Sequence, residues 1–78
     1  MKHMQRTVNA VIRPGEESGY VAECLELPVV TQGATLDEVA AHLREAVALQ
    51  LTDEDPATWG LAPTPTLVVT FELEPAVA

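Results

Sequence analysis

The chain is short of the residues on which several kinds of chemistry depend. It has one cysteine, Cys24, so no intramolecular disulfide can form and a reducing compartment suits it. Its two histidines, His3 and His42, are isolated from each other and from any ligand-spaced partner. No glycine-rich phosphate loop follows a strand, because Gly33 stands alone. No apolar run approaches the roughly 20 residues of a membrane-spanning helix, and no charged-then-apolar leader opens the chain. A cytoplasmic location is therefore expected. Four Lys and Arg face twelve Asp and Glu, giving a net charge of −8. That balance repels nucleic-acid phosphates over most of the surface and favours a basic partner.

What is present fits one small domain, residues 1–78. Met1-Lys2-His3-Met4 reads as partly vector-derived or disordered, with Met4 a candidate start. A chain this short buries only about 60–65% of its unfolded surface, so its core is thin and oligomerisation is a common remedy.

The strongest pattern runs from Thr31 to Leu51. Gly33 supplies a tight turn, and Thr35 is placed to cap a helix, its hydroxyl accepting from an orphan N–H of the first turn. Glu38, three residues on, completes a capping box, and Asp37 and Glu38 put negative charge at the positive end of the helix dipole. Leu36, Val39, Ala40, Leu43, Ala46, Val47 and Leu51 recur at helical spacing, which predicts one buried face. Thr52-Asp53-Glu54-Asp55-Pro56 should end the helix, with the three acids outside it.

Strands are expected on both sides. Thr7–Arg13 alternates with Val8, Ala10 and Ile12 on one face. Pro14–Gly19 is a turn, and Tyr20–Leu25 returns to make a hairpin. Val29–Gln32 is a short third strand with Pro28 at its start or edge. Thr58–Pro65 reads as a linker. Leu67, Val69, Phe71 and Leu73 then alternate with Thr66, Val68, Thr70, Glu72 and Glu74, predicting a strand with one buried face that Pro75 stops, before Ala76–Ala78 fray. The order is β-β-β-α-β, an α+β fold with one helix on one face of the sheet. Val11, Val21, Leu25 and Val68 fall on the opposite face, and a second copy covering them would make a dimer or tetramer.

No active site is visible in this pattern. Cys24 lacks a basic neighbour and reads as a buried thiol. His42 sits at the flank of the helix's apolar face. Asp53, Glu54 and Asp55 lack the alternating ligands and central glycine of a calcium loop. Glu23, Glu26, Glu72 and Glu74 alternate with apolar neighbours and read as solvent-facing strand residues, not as a two-metal set. Trp59 either plugs the core or joins a contact surface. A binding or assembly role is favoured over catalysis, with no cofactor and no metal expected.

Three stretches carry a resemblance: Tyr20-Val21-Ala22-Glu23-Cys24-Leu25-Glu26-Leu27-Pro28, then Thr31-Gln32-Gly33-Ala34-Thr35-Leu36-Asp37-Glu38-Val39, then Leu43-Arg44-Glu45-Ala46-Val47. In this order the chain resembles the HicB-like antitoxin family over roughly residues 20–51. Val29 departs from the pattern, standing where the family usually has glycine. The resemblance implies a partial, degenerate ribonuclease-H-like fold without the nuclease carboxylates, a homo-oligomer, and a grip on a small basic ribonuclease toxin. Full-length antitoxins add a C-terminal DNA-binding module. This chain stops at Ala78 after the last strand, so direct operator binding is not expected. The residues expected to matter are Gly33, Thr35 and Glu38 for the cap, and Trp59, Glu72 and Glu74 for a partner. Two rival expectations are an orphan structural or ligand-binding module of the same fold, and a degenerate nuclease.

Overall fold

A computed structural model describes residues 4–73 of the chain. Met1, Lys2, His3, Glu74, Pro75 and the terminal Ala76–Ala78, with the expectations placed on them, lie outside the described residues.

The order is β1 (Gln5–Pro14), β2 (Tyr20–Cys24), β3 (Val30–Gly33), α1 (Leu36–Asp53), a 3-10 turn (Pro56–Trp59) and β4 (Leu61–Phe71). The strands form one four-stranded mixed sheet in the order β3-β2-β1-β4. β1 pairs antiparallel with β2, and β2 antiparallel with β3, while β4 runs parallel to β1. The fold is α+β with one helix, as the alternation patterns predict. Its centre is the period-two row Val8, Ala10 and Ile12 of β1, which meets Ala22 and Cys24 of β2 and Val39, Leu43 and Val47 of α1. Leu27, Val29 and Leu61 complete this core. Each fully buried Val, Leu or Ile contributes about 1.5–3 kcal/mol.

The β1–β2 hairpin turns through Gly19, whose φ of 70° is a conformation that a Cβ disfavours. The N–H of Gly15 donates to Gly19 O at 2.9 Å and closes the loop. Before β3 the chain bends at Leu27-Pro28-Val29, where the N–H of Val29 donates to Leu27 O at 2.8 Å. β3 accordingly begins one residue later than expected, at Val30, and Pro28 sits exposed just ahead of it.

Thr35 caps α1: its Oγ1 accepts from the N–H of Glu38 at 3.1 Å. The reciprocal bond, from the Thr35 N–H to the Glu38 carboxylate, is not made among the described residues, so half of the capping box forms. Gly33 has a role other than the one expected. Its φ is not positive. A Cβ there would lie 2.5 Å from Val39 N and 2.8 Å from Val39 Cα, so glycine is required by the close approach of the helix backbone. The helix also runs past Leu51 to Asp53, with Glu54 as C-cap donating its N–H to Gln50 O at 3.2 Å. Asp53 therefore lies within the last turn. The buried stripe is narrower than predicted: Val39, Leu43 and Val47 are buried, while Leu36 is 38% exposed.

The largest departures lie at the C-terminal end. The expected linker is instead the 3-10 turn and the first half of β4. Gly60 closes the turn at φ 73°, and Leu61 pairs with Gln5. While β1 advances from Gln5 to Thr7, β4 runs from Leu61 to Thr66, an irregularity that contains Pro63 and Pro65. Prolines are tolerated there because β4 is an edge strand. The predicted buried face of this strand is only partly covered. Leu67 is half-buried, Val69 is 38% exposed and Phe71 42% exposed. The helix backbone packs on β3 and β2, at the opposite side of the sheet.

Candidate functional site

The hairpin loop, β3 and the first turns of α1 enclose an open groove of about 460 Å³. Tyr20, Gln32, Glu38 and His42 contribute its larger side chains. His42 and Glu38 share one helix face because they are four residues apart. His42 Nδ1 lies 2.7 Å from the backbone oxygen of Gln32. A carbonyl oxygen only accepts, so the proton is on Nδ1, and in the neutral ring Nε2 is an acceptor. His42 is exposed, as its position at the flank of the stripe predicts. The groove itself, which joins residues from three elements, has no signature in the sequence.

The carboxylates divide into two kinds. Glu16, Glu17, Glu23, Asp37, Glu38, Glu45, Asp53, Glu54, Asp55 and Glu72 are exposed. One ion pair occurs among the described residues, Arg13 to Glu23 at 3.0 Å, with both side chains nearly half exposed. Asp55 is also used locally, its Oδ1 accepting from the N–H of Ala57 at 3.0 Å to cap the 3-10 turn. Among the described residues no three His, Cys, Asp or Glu side chains gather as metal ligands would.

Glu26 differs from the rest. Its alternation with apolar neighbours predicts a solvent-facing residue, and it is instead half-buried. Its Oε1 accepts from the backbone N–H of Asn9 and its Oε2 from the Asn9 side-chain amide, both at 2.7 Å, and Gln5 Nε2 also donates to Oε2. Burial pushes its carboxyl upward, but the hydrogen bonds from Asn9, Gln5 and its own backbone outweigh that and hold it below the ordinary glutamate range. Glu26 thus staples the chain leaving β2 onto β1. The thiol of Cys24 is pushed up by burial and, to a lesser extent, by the charge of Glu26. Cys24 is buried, as the sequence predicts, and burial of this kind disfavours the thiolate.

Of the residues expected to meet a partner, Glu72 is exposed beyond the end of β4, and Glu74 lies outside the described residues. Trp59 packs half-buried against the core from the 3-10 turn, which corresponds to the plug alternative. Its Nε1 is buried without an acceptor.

The helix-free face of the sheet is mixed. Val11 and Val21 are half-buried, and Leu25 and Val68 are exposed at 70% and 43%. Asn9 and the Arg13–Glu23 pair lie among them by strand register. The last part of β4 is more uniformly apolar, with Val68, Val69 and Phe71 all exposed. Among the described residues no helix is long and apolar enough to cross a membrane. No protein-family model, curated protein sequence or solved structure matches this chain.

Proposed function

We propose that this protein is a non-catalytic, HicB-like antitoxin-type binding protein, built on a partial ribonuclease-H-like sheet, that acts as a homo-oligomer in the cytoplasm and neutralises a small basic ribonuclease toxin. The resemblance over residues 20–51 motivates the family. The observation that carries the binding mode is the set of exposed carboxylates of which only Glu23 is ion-paired among the described residues. Such a surface attracts a basic protein over a distance of about 8–10 Å at physiological salt.

Binding kinetics against a small basic ribonuclease toxin test this reading. Association should slow strongly as salt rises, while dissociation changes little, because the apolar centre of an interface is not screened. Charge reversal at Glu72 should act on the on-rate if that residue faces the toxin. A salt-independent on-rate removes the electrostatic mechanism, and absence of binding removes the toxin reading.

A second reading is favoured by the groove beside His42: an orphan ligand-binding module of the same fold. Chemical-shift changes confined to Tyr20, Gln32, Glu38 and His42 on adding small polar metabolites would support it.

A further inference from the structure

A chain of net charge −8 has its longest strand free of ionisable residues: β4 reads Leu-Ala-Pro-Thr-Pro-Thr-Leu-Val-Val-Thr-Phe over 11 residues. That strand is also the open edge of the sheet next to β1. Its first half is protected against further pairing, because Pro63 and Pro65 have no N–H to donate. Its second half has no such protection. From Thr66 to Phe71 it follows β1 in unbroken register, and the next N–H, that of Glu72, donates to Ile12 O at 2.9 Å. Backbone groups alternate along a strand. The N–H groups of Thr70 and Val68 therefore point to β1 like that of Glu72, and those of Leu67, Val69 and Phe71 point outward. The side chains of these same three residues lie on the helix side, in line with Val8, Ala10 and Ile12; Leu67 packs half-buried against the core, while Val69 and Phe71 are exposed.

We propose that a second copy of this chain adds at this edge, with the Thr66–Phe71 half of β4 pairing antiparallel to its counterpart about a two-fold axis at Val69. The proposal deepens the oligomeric part of the reading above and rests on it. In this register Val69 opposes Val69, and Leu67 opposes Phe71 of the other copy. These are the residues whose N–H and C=O groups point outward, so they form the hydrogen-bonded pairs. Their side chains form one apolar row joining the uncovered helix-side surfaces of both sheets, with an aromatic–aliphatic pair at each end. The antiparallel arrangement closes on itself, which an in-register parallel one does not.

Charge selects this occupant. Two copies at −8 repel one another through most of their surfaces and can approach best where neither carries charge. A basic partner gains nothing electrostatic from an uncharged strand. Pairing over so short a segment buries less than the roughly 1,200 Å² of a standard interface, so the dimer should be weak and concentration-dependent.

Sedimentation of the full chain over a range of micromolar concentrations at low and high salt tests the pairing. Dimer should form, and should strengthen as salt rises, the opposite of the salt response expected for a toxin. Val69→Lys sets like charges opposite each other and should weaken dimerisation at least about tenfold with the far-ultraviolet circular dichroism unchanged. Val30→Lys, on the other edge of the sheet, should leave it unaffected. As a measurement that does not depend on a charged variant, Val69→Cys should give a disulfide-linked dimer on mild oxidation, since the Cα atoms of such a pair stand about 5.5 Å apart. Val30→Cys should not. A wild-type monomer at every concentration and salt overturns self-association while leaving toxin binding to its own assay. A dimer indifferent to Val69→Lys but broken by Val30→Lys or Val11→Lys overturns the edge and places the contact elsewhere.

Discussion

Val8, Ala10 and Ile12 of β1 and Leu67, Val69 and Phe71 of β4 are register partners on the same side of one sheet. The first three are each 1% exposed, whereas Val69 and Phe71 are 38% and 42% exposed. Side-chain chemistry does not account for this. Phe and Val are as apolar as Ile and Ala, and the alternation is equally clean in both strands. The difference lies in what passes overhead. A single helix packed on β3 and β2 can cover the middle of the sheet but not its β4 edge. Burial is thus a property of sheet order, and one strand's width decides between core and free surface.

The largest effect that could break this comparison comes from matched truncations. Leu43→Ala, at a fully buried helix position, should cost about 2–5 kcal/mol in denaturant unfolding. Phe71→Ala removes a larger side chain yet should cost only about 1–2 kcal/mol when measured at concentrations low enough for the monomer, because much of the ring is already in water. Equal losses would mean that the β4 row is covered after all.

A smaller effect concerns the staple that holds the chain after β2 to β1. Glu26→Gln puts an amide donor against the donors of Asn9 or Gln5 and should cost about 1–3 kcal/mol at neutral pH. Since the Glu26 carboxyl is held below its ordinary range when folded, the unfolded chain binds the proton more readily. The stabilisation is complete above the ordinary glutamate range and is lost as pH falls through the lowered folded value. Unfolding curves should therefore show the gap between wild type and variant closing in acid. A gap independent of pH would exclude the ionised carboxylate as its source.

The smallest effect sharpens the account of the cover. Thr35→Ala should cost about 0.5–1 kcal/mol, the low end for an N-cap, since one bond of the capping box is made. An unchanged midpoint in chemical melts would mean that the cap contributes nothing to holding α1 over the sheet.

Local chemistry was legible in the sequence, and long-range placement was not. The helix, its cap at Thr35, the hairpin and the central row of β1 follow from periodicity and turn residues, which act within a few positions. The Thr58–Pro65 stretch misleads because two prolines normally argue against a strand. Only the position of β4 at an edge, beside the irregularity opposite Gln5 and Thr7, makes them acceptable. The exposure of Phe71 was hidden for the same reason, since an alternating pattern says that a face is apolar but not which strand lies outermost. Glu26 looks solvent-facing in the sequence because its three donors come from Gln5 and Asn9, distant along the chain. The groove beside His42 likewise needs β2, β3 and α1 assembled before it exists.

Gly33 and Gly60 show how differently two glycines constrain the drift of a sequence. Gly60 has φ of 73° and open space around a would-be Cβ, so its restriction is one of dihedral angle, and asparagine, which tolerates that region, is a natural neighbour in sequence space. Gly33 has an ordinary φ but no room, because the backbone of Val39 occupies the place of a side chain. No other residue type relieves that crowding. Any lineage descending from this chain must either keep glycine at 33 or move the whole helix away from β3. The angle at which α1 covers the sheet is therefore inherited through the absence of one methyl group.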